Sequence, residues 1–164
     1  MLFTRTLILI LGALSFIIVI GGALYEHAAL VPIWASAAPA SLAMFQGEYA
    51  IVPFRFWMPV HPVTVILLLV ALALNWSTDR RKYVLITLVG YLVVLIATFL
   101  YFVPELMSIV QSAYSTAIDP DLTARAKTWE TMSLIRLAFM LVLAVILLFG
   151  LTKSGEPRRR YRSY

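Results

Sequence analysis

Histidine, carboxylate and arginine side chains stand near the ends of apolar segments in this chain, where they could support acid–base chemistry. The only two histidines, His27 and His61, lie on either side of an apolar loop. Glu26 precedes His27, while Glu105 and Arg136 lie near the ends of two later apolar segments. A histidine serves as a general base near neutral pH, and an arginine stabilises a developing oxyanion. We therefore predict a catalytic site formed by His27, His61, Arg136, Glu105 and Glu26.

The same imidazoles and carboxylates suit iron or copper, which is a second interpretation of these residues. A metal site would use His27, His61, Glu26 and Glu105 as ligands. The chain has no His-x₃-His or Glu-x-x-His spacing to support this alternative, and the nearby Arg136 would repel a cation. The sequence therefore predicts no cofactor, with iron or copper as the alternative.

A third interpretation of the same residues is structural. Arg136 lies inside an otherwise uncharged segment, and an unpaired cation within a membrane costs several kcal/mol. We therefore expect Arg136 to be buried and paired with Glu105 or Glu26. Such an ion pair would close one end of a helix bundle without any catalysis.

Four aromatic residues are predicted to line a water-poor slot beside these polar groups. Trp34 and Trp57 lie in the loop between the histidines, and Tyr101 and Trp129 lie near the ends of apolar segments. Aromatic rings offer large apolar surfaces, and apolar walls with a few polar groups are typical of small-molecule sites. We predict that Trp34, Trp57, Tyr101 and Trp129 bind a substrate.

The apolar segments that position these side chains are long enough to cross a membrane. Hydrophobic residues make up 62% of the 164 residues and charged residues 13%, and mean hydropathy is +0.93. This composition excludes an ordinary water-soluble enzyme, and the absence of cysteine excludes disulfide scaffolds and thiolate metal centres. Because a spanning helix needs about 20 mostly apolar residues, we predict an all-α integral membrane four-helix bundle. Its spans lie near 5–27, 61–79, 82–104 and 131–152.

Small and polar residues recur at helical spacing in every span, which predicts the faces that point into the bundle. The predicted inner faces carry Gly12, Ser15, Gly22 and Glu26 in the first helix, His61, Thr64, Leu68, Ala71 and Asn75 in the second, Gly90, Val94, Ala97, Tyr101 and Glu105 in the third, and Trp129, Ser133, Arg136 and Met140 in the fourth. These faces bring the candidate site residues to one level at the outer end of the bundle.

The distribution of lysine and arginine predicts the orientation of the bundle. Most of these cations fall on the side of the two termini, namely Arg5, Arg80, Arg81, Lys82, Lys153, Arg158, Arg159, Arg160 and Arg162. Such a bias marks the cytoplasmic side, so both termini are predicted to be cytoplasmic. Residues 1–152 then form the transmembrane domain, and residues 153–164 form a basic cytoplasmic tail.

The net charge of +5 is therefore interpreted as a topology signal, and no nucleic-acid partner is predicted. The predicted partners are membrane lipids, a lipophilic small molecule and a homo-oligomer or larger membrane complex. The inner (plasma) membrane of a bacterium is the predicted location. A long outer loop, residues 28–60, joins the first two helices and is expected to fold over the outer mouth, because its aromatic residues suit a membrane interface.

The second half of the chain resembles the anthrone-oxygenase-like family of small four-helix membrane proteins. The residues that carry the resemblance are Pro104 at the close of the third helix, the Asp119-Pro120 turn, and Trp129 seven residues before Arg136. The glycine-rich end of the first helix, GGALYEHAALVPIW, is also similar to that family.

The resemblance implies oxidation of an anthrone to an anthraquinone by O₂ without an obvious cofactor. His27 or His61 would then act as the base and Arg136 would hold the oxyanion. We therefore expect a membrane-embedded oxidoreductase, of monooxygenase-like type, that acts on a lipophilic and polycyclic aromatic molecule through an outer-side pocket. The alternative is a non-catalytic accessory subunit or a small-ligand-binding protein whose outer ion-pair cluster is structural.

Overall fold

The computed structural model describes residues 1–157, and the rest of the predicted basic tail, 158–164, lies outside the described residues. Across the described part of the chain the fold is helical and contains no strand. The α-helices are α1 (Leu2–Ala29), α2 (Val31–Trp34), α3 (Phe54–Leu74), α4 (Arg81–Ala97), α5 (Val103–Val110) and α6 (Pro120–Leu151). A 3₁₀-helix spans Ala40–Phe45, and a π-helix spans Thr98–Phe102.

Four helices are long and apolar enough to cross a membrane, as the sequence predicts. They are α1, α3, the continuous helix from Arg81 to Val110, and α6. The second of them differs from the predicted span near 61–79, because α3 begins at Phe54 and ends at Leu74, with Pro59 and Pro62 inside it. Proline is tolerated in a spanning helix when its neighbours satisfy the freed carbonyls, and here the first turns of α3 pack on α1 beside Gly22.

The predicted inner faces of α3 and α6 are buried within the bundle. Thr64, Leu68 and Ala71 of α3 are fully buried, and so are Asn75, directly after α3, and Ser133 of α6. Small residues permit close approach, since a Cβ at Gly12 of α1 would lie 3.5 Å from the Leu68 side chain, and one at Gly90 of α4 would lie 2.8 Å from that of Leu143. The helices therefore meet along the small and polar residues of the sequence pattern.

The third membrane-length helix changes its buried face at the π-helix. In this wide turn the Val103 N–H donates to the Thr98 carbonyl, five residues earlier. A proline ring clashes with the carbonyl four residues before it in a regular α-helix, and the wide turn gives Pro104 room. Because a π-turn holds one extra residue, Phe102 is buried, whereas Tyr101 is 39% exposed.

The bundle has two ends of different character. The terminal end carries Met1, the turn 75–80 and residues 152–157, and the loop end carries residues 30–53 and 111–119. At the loop end the Ala38 carbonyl accepts hydrogen bonds from the Asp119 N–H (2.9 Å) and the Thr123 hydroxyl (3.2 Å). Trp34 and Leu42 are buried there, so residues 30–53 pack on the bundle and reach the start of α6.

The terminal end is tied together by Arg80, which is 6% exposed. Its Nε donates to the Lys153 carbonyl (2.9 Å) and its Nη1 to the Thr6 hydroxyl (2.8 Å). Burial lowers the pKa of Arg80 from its ordinary value, but a guanidinium keeps its charge at neutral pH. Arg80 therefore joins α1, the start of α4 and the segment after α6.

Candidate functional site

A row of polar side chains crosses the loop end from α1 through α3 to α4. The Trp57 indole N–H donates to Glu26 Oε1 at 2.9 Å. The Trp57 ring stacks on His61 with centroids 5.2 Å apart, and His61 Nδ1 lies 2.6 Å from the Tyr91 hydroxyl. We call Glu26, Trp57, His61 and Tyr91 the polar row. Three of its four members were predicted as site residues, whereas Tyr91 was not.

Buried hydroxyls continue inward from the polar row. Tyr91 is fully buried, and so is Thr64 on α3. The Thr64 hydroxyl donates to the Val60 carbonyl (2.8 Å) and lies 2.6 Å from the Ser15 hydroxyl. A buried polar group is costly unless it is hydrogen-bonded, so these contacts explain how the two hydroxyl residues persist within the bundle.

His27 lies apart from this row, against aromatic residues. Its Nδ1 donates to the Ala23 carbonyl at 2.9 Å, one helical turn earlier. Its ring stacks on Trp129 with centroids 6.3 Å apart and an interplanar angle of 9°. Its Nε2 is buried and has no hydrogen-bond partner among residues 1–157. Nε2 therefore lies buried beside Trp129 without a described hydrogen-bond partner.

Aromatic residues form a cluster at the loop end beside His27. The Trp129 ring lies 5.4 Å from that of Trp34 and 6.0 Å from that of Phe102. The Trp129 indole N–H donates to the Phe102 carbonyl at 2.9 Å, which fixes α6 to the π-helix. We call Trp34, Phe45, Phe102 and Trp129 the aromatic cluster. Trp34 and Trp129 were predicted to line a slot, and both are buried in this cluster.

Arg136 approaches the aromatic cluster from α6 and does not form the predicted ion pair. Its Nη1 donates to the Thr98 hydroxyl (3.1 Å) and its Nη2 to the Ser133 hydroxyl (2.8 Å). Its Cζ lies 4.1 Å from the centroid of the Phe102 ring, and its buried Nε has no partner. No carboxylate in the described chain lies within 4.0 Å of the guanidinium. Its charge acts on Glu26 and His61 only from a longer distance.

Glu105 does not join the candidate site. Both of its carboxylate oxygens bind Arg125, at 2.8 and 3.0 Å, on the exposed side of α5 and α6. The phase shift of the π-helix explains this result, because it turns Glu105 and Tyr101 away from the predicted inner face. Tyr101, predicted to line the slot, is 39% exposed and contacts the aromatic cluster through Phe102, with ring centroids 5.1 Å apart.

The residues proposed as iron or copper ligands do not form a metal site in the structure. Within residues 1–157, no group of three or more histidine and acidic side chains is arranged to hold a metal ion. Glu105 is bound to Arg125, and the Glu26 carboxylate accepts from Trp57. The four residues proposed as iron or copper ligands therefore do not converge.

Thr98, Phe102 and Ser133 belong to the site although sequence reasoning did not assign them a role there. Ser133 carried a usable signal, because it lies three residues before Arg136 on the predicted inner face. Phe102 lies outside the inner face that the sequence pattern predicted for the third helix, so it was not assigned a role.

The aromatic side chains of the candidate site are packed against one another. Two surface depressions, of about 310 and 240 Å³, lie at the terminal end beside Arg5 and beside Lys82. Comparison of the chain with protein-family models, curated proteins and solved structures gave no match. The geometry of the loop end is therefore the basis for a functional proposal.

Proposed function

We propose that this protein is a membrane-embedded oxidoreductase of the oxygenase type, acting on a lipophilic, polycyclic aromatic molecule at the loop end. The observation that carries the proposal is Arg136, a partly buried guanidinium with a buried, unpartnered Nε and no carboxylate partner. The proposed setting is the inner membrane of a bacterium, with both termini in the cytoplasm and the loop end on the outer side. The resemblance to the anthrone-oxygenase-like family agrees with this activity.

Arg136 supports the proposal because its charge is only partly compensated. Two neutral hydroxyls and the face of Phe102 stabilise the guanidinium, while Nε is left without an acceptor. A buried cation of this kind favours an anionic oxygen, to which it can donate charge-assisted hydrogen bonds. The neighbouring aromatic rings favour a ligand that is flat and apolar elsewhere.

His27 is the better candidate for the base. Its Nδ1–H is held by the Ala23 carbonyl, which leaves the lone pair on Nε2, and no described side chain occupies that nitrogen. Its ring stacks on Trp129, whose other neighbours are Trp34 and Phe102. A substrate that entered this cluster would bring a C–H bond to the base and a carbonyl oxygen to Arg136.

The proposed reaction converts a CH₂ group beside an aromatic ketone into a carbonyl, with O₂ as the oxidant and water as the second product. His27 Nε2 removes one C–H proton, and Arg136 stabilises the resulting enolate oxygen. The carbanion transfers electrons to O₂, a C–O bond forms, and the proton on His27 neutralises the peroxide. Loss of the second C–H proton breaks the O–O bond, forms the C=O bond and releases water.

Entry of a substrate requires the loop end to open, because the aromatic side chains fill it. Trp34 and Phe45 belong to residues 30–53, whereas Phe102 and Trp129 belong to the spanning helices. Movement of the loop segment away from α6 would separate Trp34 from Trp129 and admit a flat molecule. The second candidate is a non-catalytic accessory subunit, which the filled site favours, or a protein that binds such a ligand without oxidising it.

The test uses protein purified in mild detergent, with anthrone as the probe. Anthraquinone formation and O₂ uptake are measured against the spontaneous rate without protein. We expect catalysis that falls at least tenfold in Arg136→Gln and His27→Ala. Arg125→Gln is the matched control on the same helix and should retain activity.

The outcomes separate the two candidates. If anthrone quenches tryptophan fluorescence saturably but its oxidation is not accelerated, the protein binds the ligand without catalysis. If neither binding nor oxidation is found, or if Arg125→Gln is as impaired as Arg136→Gln, the proposed function is wrong.

A further inference from the structure

We propose that the two histidines are held in opposite neutral tautomers, and that Tyr91 is the positioning residue that sets the tautomer of His61. His27 then presents an unprotonated Nε2, whereas His61 presents an Nε2–H. The inference rests on the proposed function for its catalytic meaning, but the tautomers themselves can be measured without any substrate.

The tautomer of His27 follows from its partner. A backbone carbonyl only accepts hydrogen bonds, so the 2.9 Å contact from His27 Nδ1 to the Ala23 oxygen requires a proton on Nδ1. In a neutral imidazole the second nitrogen then carries the lone pair. That nitrogen, Nε2, is the buried one without a partner.

The tautomer of His61 follows from the burial of Tyr91. The Tyr91 hydroxyl is fully buried, and its short contact is the 2.6 Å distance to His61 Nδ1. A buried hydroxyl proton needs an acceptor. The imidazole nitrogen of His61 is a better acceptor than the Thr64 hydroxyl, which donates its own proton to the Val60 carbonyl. Tyr91 therefore donates to His61 Nδ1, which places the ring proton of His61 on Nε2.

Opposite tautomers would give the two histidines different roles in the proposed reaction. His27 can accept a C–H proton, and His61 Nε2–H can donate a hydrogen bond to an oxygen that gains charge near Arg136, whose charge acts on His61. His27 carries the protons from carbon to the peroxide and to the leaving hydroxide. His61 keeps its proton throughout, so the overall balance of the reaction is unchanged.

The experiment is ¹⁵N NMR of histidine-labelled protein in mild detergent, at about pH 8.5, where ordinary histidines are neutral. Protonated and unprotonated ring nitrogens have well-separated shifts. The chain contains only two histidines, so His27→Gln isolates the signal of His61, and His61→Gln isolates that of His27. We expect Nδ1–H for His27 and Nε2–H for His61. The same tautomer in both, or a proton on His61 Nδ1, would overturn the inference.

Tyr91→Phe tests the cause of the His61 tautomer. Without the hydroxyl donor, His61 should shift to a mixture of tautomers while His27 stays unchanged. Tyr83→Phe, at the terminal end, and Thr64→Val should leave both histidines as in the parent protein. An unchanged His61 in Tyr91→Phe would remove the role of Tyr91. If Tyr91→Phe does not fold, the spectra of the parent protein still decide whether the two histidines have opposite tautomers. In that case Thr64→Val tests the donor, because a changed His61 tautomer in this variant would count against Tyr91.

These signals also keep the inference separate from the proposed function. Opposite tautomers in a protein that does not oxidise anthrone would retain the inference about Tyr91 and refute the oxygenase proposal. Catalysis by a protein whose histidines share one tautomer would support the oxygenase proposal and refute the inference about Tyr91.

Discussion

Arg136 and Phe102 form a cation–π contact, with Cζ 4.1 Å from the ring centroid, in the place where a membrane protein commonly has an ion pair. Such a contact is worth about 2 kcal/mol when it is desolvated. The hydroxyls of Thr98 and Ser133 add hydrogen bonds but no negative charge. The cost of burying the guanidinium is therefore only partly offset.

Replacement of Arg136 should lower the proposed activity without lowering the stability of the protein. A glutamine can keep a hydrogen bond to Thr98 or Ser133 and removes the desolvated charge. We expect Arg136→Gln to leave the free energy of unfolding unchanged or to raise it by up to about 2 kcal/mol. Thermal unfolding in detergent measures this effect, with Arg125→Gln as the exposed control. A large loss of stability in Arg136→Gln alone would make Arg136 a structural residue.

The phase shift at the π-helix predicts unequal effects for two neighbouring aromatic residues. Phe102 is 6% exposed, whereas Tyr101 is 39% exposed. Phe102→Ala should lower the free energy of unfolding by about 3–5 kcal/mol, and Tyr101→Ala by about 0.5 kcal/mol. Equilibrium unfolding in mixed detergent measures both values. The opposite order would mean that a regular α-helix continues past Thr98.

Two adjacent glycines in α1 should respond differently to a large side chain. A Cβ at Gly22 would lie 2.5 Å from Cε1 of Phe56, whereas a Cβ at Gly21 meets nothing within 4 Å. Gly22→Leu should therefore cost about 1–3 kcal/mol of unfolding free energy through overpacking. Gly21→Leu should be neutral or stabilise by about 0.5–1 kcal/mol. Equal melting temperatures would argue against the packing of α3 on α1.

Two adjacent arginines at the terminal end, Arg80 and Arg81, should also differ in how much their replacement lowers stability. Arg80→Ala removes the hydrogen bonds to Thr6 and Lys153 and should cost about 2–3 kcal/mol. Arg81 is exposed and lies over Trp76 at 5.1 Å, so Arg81→Ala should cost about 0.5–1 kcal/mol. The difference in melting temperature between the two variants is the measurement. A smaller effect of Arg80→Ala would refute its role in tying the segments together.

The orientation of the bundle can be measured because the natural chain has no cysteine. Tyr49 at the loop end is 92% exposed, and Ser154 at the terminal end is also exposed. In intact cells, a membrane-impermeant maleimide should label Tyr49→Cys and miss Ser154→Cys. Lysed cells, in which both should react, provide the control. The reverse pattern in intact cells would place the termini outside.

The inner faces of the helices were predictable wherever the α-helical repeat continues without interruption. Thr64 in α3, Asn75 directly after α3 and Ser133 in α6 are buried as their spacing indicates. The α-helical repeat predicted the wrong face for Tyr101 and Glu105, because the extra residue of the π-turn changes the direction in which the following side chains point. No propensity or spacing rule gives the position of such a turn, although Pro104 marks the region where one relieves a clash.

The relation between the two histidines was beyond sequence reasoning for a different reason. Both lie at the same end of the bundle, but neighbouring positions on one helix point about 100° apart. Glu26 therefore faces Trp57 of α3, whereas His27 faces Trp129 of α6. Which helix packs on which side of α1 decides this outcome, and a single sequence does not contain that order.

The π-turn also makes the loop end sensitive to a rare kind of genetic change. Loss of one codon between positions 98 and 102 would return the turn to an α-helix, while Phe102 and the residues after it keep their register. The ring of Pro104 would then meet the carbonyl four residues before it, as in any regular α-helix. Such a deletion would therefore leave the aromatic ring beneath Arg136 in place and disturb the helix at the proline. In this protein the geometry of one spanning helix is exposed to length variation, not only to substitution.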